Sequence, residues 1–172
     1  TGMNDPIIHF YETFLGEYNP ALRKSRGVWY TPEAVVNFIV RACDEVLKDE
    51  FALSDGLSDE TKIKIEVESP QIIYTKSGEK AKNQKIQIEV HKVQVLDPAT
   101  GTGTFLAETI KFIKKDFWGG SWSSYVEEHL IPRLNGFELL MASYAMAHLK
   151  LDLLLMETGY KPTKEQKRFN VF

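Results

Sequence analysis

The residues best placed to do chemistry form one uninterrupted run, Asp97-Pro98-Ala99-Thr100-Gly101-Thr102-Gly103-Thr104-Phe105, directly behind the apolar stretch Val93-Gln94-Val95-Leu96. An acid followed by two closely spaced glycines at the end of an apolar strand is a ligand loop, because glycine lets the backbone turn tightly and lie against a bound molecule. Three ligand classes compete for it. A phosphate-cradling loop needs a lysine after its last glycine, and here Thr104, Phe105 and Leu106 follow Gly103. A dinucleotide loop wants a third small residue and an acid ~20 positions further on, but Leu106 fills the small position and Glu138 comes much later. The remaining class carries an adenosine and a zwitterionic amino-acid tail without a pyrophosphate. Asp97 would repel a pyrophosphate and attract an ammonium group, so the sign of the charge favours S-adenosylmethionine.

Other chemistries have little material. The chain has a single cysteine, Cys43, and four scattered histidines, His9, His91, His129 and His148, none at metal-ligand spacing. All four histidines read as structural or exposed, and no metal is expected. Net charge is −3 over 172 residues, so any grip on nucleic acid must be local. The short basic run Arg23-Lys24-Ser25-Arg26 could meet phosphates, although such a run also suits a solvated loop. No apolar run approaches the ~20 residues of a membrane span. With no signal-peptide pattern after Thr1 to Met3, a soluble, cytoplasmic protein without a membrane partner is expected.

The elements that position the loop follow from periodicity. A helix is predicted over residues 4 to 15, and a second from Thr31-Pro32-Glu33, with Thr31 as cap and Val35, Phe38, Ile39, Ala42 and Val46 as its core face to Leu47. Residues 49 to 92 alternate at Ile63 to Val67 and Ile86 to Val90 about a polar turn at Ser77-Gly78, a half-exposed β-rich insertion. A buried strand at 93 to 96, the glycine loop and a helix from Thr104 to Asp116 come next. Trp118 to Trp122 reads as a loop whose tryptophans are buried against a sheet. A capping box at Ser124 to Glu127 then opens a short helix that Pro132 ends. A strand at Leu134 to Glu138 leads to a helix with Leu139, Ala142, Met146, Leu149, Leu153 and Met156 as its core stripe, stopped by Gly159. Phe169 to Phe172 begins another strand, as expected of a chain that continues. Alternating strands and helices imply a parallel sheet, here half of a doubly wound α/β fold.

The Asp97 to Phe105 run resembles the cofactor motif of N6-adenine DNA methyltransferases, in which Asp-Pro-Ala-Cys/Thr-Gly-Ser/Thr-Gly recurs. Upstream, Gly27-Val28-Trp29-Tyr30-Thr31-Pro32-Glu33 resembles the same family's Tyr-Thr-Pro turn, which closes over the methionine end of the cofactor. A helix start there also offers N–H groups to a carboxylate. Gly136-Phe137-Glu138 is similar to the family's acidic strand end, whose two oxygens suit two ribose hydroxyls. The likeness is closest to the methylase region of single-chain restriction–modification enzymes and covers about residues 5 to 47 and 93 to 172.

The resemblance implies an incomplete, Rossmann-like methyltransferase fold. Its parts would be N-terminal helices over 1–48, the insertion over 49–92 and the first part of the α/β core over 93–172. It further implies that S-adenosylmethionine binds through Tyr30, Thr31, Asp97, Ala99, Thr100, Gly101, Thr102, Gly103, Thr104, Phe105, Glu138 and Leu139, and that the full-length protein acts on double-stranded DNA. The family's catalytic Asn/Asp-Pro-Pro-Tyr/Phe motif is absent. The seven prolines, at 6, 20, 32, 70, 98, 132 and 162, include no adjacent pair. The motif is therefore expected beyond Phe172, and the chain alone is expected to be inactive. The glycine loop alone does not choose the substrate, so a methyltransferase acting on RNA, protein or a small molecule stays open, as does a non-catalytic interaction module on the same fold.

Overall fold

A computed structural model describes residues 31–69, 85–117, 120–162 and 168–172. The expected helix over 4 to 15, the basic run at 23 to 26, Tyr30, the turn at Ser77-Gly78 and Trp118 lie outside them. Helix α1 spans Glu33–Asp49, strands β1 and β2 span Lys62–Glu68 and Lys85–His91, and β3 spans Val95–Asp97. Helix α2 covers Thr104–Lys114 and the short α3 Ser121–Tyr125. A π-helical turn over Val126–Leu130 and a 3-10 turn over Ile131–Arg133 then lead into β4, Leu134–Gly136. Helix α4 covers Met141–Glu157 and β5 Asn170–Val171.

The strands β3, β4 and β5 form one parallel sheet in that order, with Val95 opposite Leu134 and Gly136 opposite Val171. Helices separate them in sequence, as parallel pairing demands. Asn135 fastens the middle strand by donating to the carbonyls of Val95 and Arg133 at 3.1 and 3.0 Å. The core lies against this sheet and is built from Val36, Leu106, Ile110, Ile113, Val126, Leu130, Leu134, Leu151 and Leu155, all buried. Each such side chain contributes roughly 1.5–3 kcal/mol on leaving water.

The strands β1 and β2 pair antiparallel, Ile63 with Val90, Ile65 with Ile88 and Val67 with Ile86. This register puts six branched residues on one face of a two-stranded ribbon and the charged residues on the other.

Several expectations need correction. Thr31 does not cap α1: the N-cap is Pro32, with no side-chain cap bond, and its carbonyl takes the N–H groups of Val35 and Val36. The buried face of α1 is Val36, Val40 and Asp44, while Val35, Phe38, Ile39 and Val46 are exposed. Asp44 is the reason. Its carboxylate accepts the Leu57 N–H at 2.8 Å and pairs with Lys48 at 2.6 Å, so a charged residue marks the inner side.

In α4 the predicted stripe is likewise turned out: Leu139 ahead of it and Leu149, Leu153 and Met156 within it are exposed, and Ser143, Ala147, Lys150, Leu151, Leu154 and Leu155 are buried. Trp122 is buried as expected, but within helix α3, which opens at Ser121 rather than at a capping box on Ser124. Gly159 stops α4 with a left-handed φ of 81°. No helix among the described residues is long and apolar enough to cross a membrane.

Candidate cofactor-binding site

The site is assembled at the carboxyl ends of β3 and β4, where an open α/β sheet receives its ligands. Strand β3 delivers Asp97, and the chain then turns through Pro98 to Gly103 into α2. Gly101 and Gly103 adopt φ of 55° and 80°, the left-handed conformation that a side chain would strain. Gly103 also lies close to helix α4, where an added Cβ would stand 3.4 Å from the Ala147 Cβ.

The loop is fixed from beneath. Thr100, buried, donates its hydroxyl to the Asp97 carbonyl at 3.0 Å and its N–H to the Phe137 carbonyl at 3.0 Å. Strand β4 passes directly below, and Gly136 has no room for a side chain because its Cβ would collide with the Thr100 hydroxyl.

Glu138, just past β4, reaches across to this loop. Its Oε2 accepts the Gly101 N–H at 2.8 Å and its Oε1 accepts the Leu140 N–H at 2.7 Å. A carboxylate oxygen has two lone-pair sites, so each retains capacity for a further donor. Asp97 uses Oδ1 to accept the Ala99 N–H at 3.2 Å, whereas its buried Oδ2 has no hydrogen-bond partner among the described residues. Burial holds this carboxyl above the ordinary carboxylate range; the Ala99 bond opposes the shift and the charge of Glu138 adds to it. A buried acceptor without a donor, beside a second carboxylate, is a place prepared for a cation or an N–H group.

The twelve residues singled out from the sequence are distributed unevenly. Asp97, Ala99 to Thr104 and Glu138 come together around the loop. Phe105 turns inward and packs against the core, lining with Asp97 and Pro98 an apolar groove of about 700 Å³ between α1 and β3. Leu139 is 95% exposed and touches no core residue. Thr31 is half-buried at the start of α1, and no hydrogen bond joins it to the described loop residues. Two contributors escaped the sequence reading. The Leu140 N–H acts through its backbone and leaves no side-chain signal, and Ala147 looks like any small helix residue. Phe172, whose ring lies 6.2 Å from that of Phe137 beside Glu138, is a further neighbour of the site.

The parallel sheet with a glycine loop between β3 and α2 defines the class as a mixed α/β fold. Comparison with known proteins narrows this. Residues 3–57 match the family model described as N-6 DNA Methylase.

Among solved structures, the chain is similar to a DrdV–DNA complex (26% identity, TM-score 0.62, covering 96% of this chain and 12% of that one). It is also similar to the ATP-dependent Type ISP restriction-modification enzyme LlaBIII bound to DNA (25% identity, TM-score 0.53, 78% and 7%). A nuclease-deletion mutant of the Type ISP restriction-modification enzyme LlaGI with a DNA substrate mimic shares the fold (23% identity, TM-score 0.50, 83% and 9%). Among curated proteins no match is found. The chain thus spans about a tenth of the length of these structures. The comparisons point the same way as the motifs: residues 3–57 are similar to the N-6 DNA Methylase family, and the chain is similar to parts of a DrdV–DNA complex and of a Type ISP restriction-modification enzyme.

Proposed function

We propose that this chain forms the S-adenosylmethionine-binding part of a protein that methylates the N6 position of adenine in double-stranded DNA, on an incomplete doubly wound methyltransferase fold. The observation that carries the reading is the pair Asp97 and Glu138: one buried carboxylate oxygen, beside the glycine loop, without a partner among the described residues, and one carboxylate clasping that loop.

In this reading Asp97 receives the ammonium of the methionine moiety through Oδ2, a bond that an anionic ligand tail would not make. Glu138 accepts the ribose hydroxyls on the lone pairs left over from Gly101 and Leu140. Gly101 and Gly103 let the ligand lie on the backbone, and Leu139, fully out in solvent, covers the adenine. The start of α1 faces the methionine carboxylate with its backbone N–H groups and helix dipole rather than with a Thr31 cap. Bound there, the cofactor supplies an electrophilic sulfonium methyl. The groups that hold the target amine would come from a catalytic motif outside this chain. In the domain reading, residues 49–92 are an insertion between the two parts of the methyltransferase unit.

Calorimetric titration tests this directly. S-adenosylmethionine should bind and NAD should not; NAD binding without a response to S-adenosylmethionine would overturn the assignment.

A further inference from the structure

Among the described residues the ribbon of β1 and β2 packs mainly on itself, and its root is fastened to the body by a pair of imidazoles. His91, the last residue of β2, is buried, and its Nε2 lies 3.0 Å from Nδ1 of His129 with the rings edge to face. His129 stands in the π-helical turn over Val126–Leu130, sandwiched between this contact and the stacked ring of Tyr125, 5.6 Å away. Its Nε2 lies 3.6 Å from Glu60 Oε2. The charged groups around the pair are Lys62, opposite His91 in the ribbon register, Asp59 and Glu60 ahead of β1, and Arg133 after the turn. Arg133 is fully buried, donates to the Asp59 carbonyl at 3.0 Å and to the Tyr125 hydroxyl, and its buried Nε has no partner among the described residues.

Two imidazole nitrogens facing each other hold one proton between them. With both rings neutral, one N–H donates and the other nitrogen accepts. One added proton is accommodated within the contact, because one ring donates across it while the other carries its own proton on its far nitrogen and accepts. A second proton has only the accepting nitrogen to occupy, and it sets two N–H groups and two cations face to face.

We propose that His91 and His129 form a proton-operated latch, closed with one proton between the rings and opened by double protonation, which releases the β1–β2 ribbon from the methylase body. Burial, Lys62, His129 and Arg133 hold His91 down to about 4, with Asp59 opposing. The released ribbon returns His91 to its ordinary value of 6.5, so release takes up a proton. Docking therefore weakens up to tenfold per pH unit across that interval, roughly three-hundredfold in all.

Hydrogen exchange by mass spectrometry on the full-length protein between pH 7 and 4, corrected for intrinsic rates, tests the latch. Peptides covering 62–68 and 85–91 should lose protection at higher pH than those covering 95–97 and 134–136. His129→Gln retains an acceptor for His91 without a second charge and should flatten the acid loss, as should His91→Gln. If both variants are already undocked at pH 7, the bond is the latch, and Glu60→Gln, with both imidazoles intact, decides the proton's part by keeping the wild-type profile. Simultaneous loss of ribbon and core, an unshifted profile in both His variants, or an acid release abolished by Glu60→Gln alone each overturn the proposal.

Discussion

The Oε2 atom of Glu138 accepts the Gly101 N–H at 2.8 Å, so the acid at the end of one strand is a structural part of the loop that follows its neighbour. Under the proposed function Glu138 has two roles, loop clasp and ribose acceptor, that substitution separates. Glu138→Gln keeps one acceptor for the loop and loses the double acceptor for ribose; Glu138→Ala loses both. Each should weaken S-adenosylmethionine binding by about tenfold or more in calorimetry, the size of one lost charge-assisted bond. Only Glu138→Ala should accelerate hydrogen exchange over residues 99 to 104. Equal exchange in the two variants would show that the clasp does not hold the loop.

Asp97 should trade stability for binding. Its folded value is raised by burial, so the folded state holds the proton more tightly than the unfolded chain, and this group favours folding more as pH falls toward the ordinary carboxylate range. At neutral pH its charge is a cost. Asp97→Asn should therefore raise the melting temperature of the cofactor-free protein while weakening cofactor binding. It should also remove the part of the binding pH profile that declines as Asp97 takes up its proton. A lower melting temperature would contradict the burial argument.

Gly136→Ala should destabilise the fold by about 1–3 kcal/mol in urea denaturation, since its Cβ would meet the Thr100 hydroxyl and then the side chain of Leu106 at 3.3 Å. Thr100→Ala in the same protein should recover part of that loss. Strict additivity of the two substitutions would mean that the collision is relieved elsewhere.

Asp44→Ala should cost about 1–3 kcal/mol, because the buried carboxylate satisfies the Leu57 N–H and holds Lys48. Asp44→Asn should cost less, as its carbonyl oxygen still accepts from Leu57. Denaturant midpoints measure both.

The glycine loop, the parallel strands and the acid at 138 were legible because each depends on local sequence: charge sign, turn chemistry and strand-to-helix alternation. Helix faces were not. In α4 apolar residues recur at steps of three and four on both sides, Leu149, Leu153 and Met156 outward and Ala147, Leu151, Leu154 and Leu155 inward, while polar Ser143 and Lys150 lie on the buried side. In α1 the inward side carries Asp44, so hydrophobicity alone selects the wrong rotation. The polar cluster joins His91 to Tyr125, His129 and Arg133 across a long stretch of chain, a pairing with no local signature.

The near contact of Gly103 with Ala147 gives α4 an influence that its distance from any ligand atom would not suggest. A Cβ added at Gly103 would stand in ordinary van der Waals contact with Ala147, so the gap between loop and helix holds about one methyl group. A residue at 147 larger than that gap would press on the loop backbone itself, and a helix position would then reach the proposed cofactor platform with every loop residue unchanged.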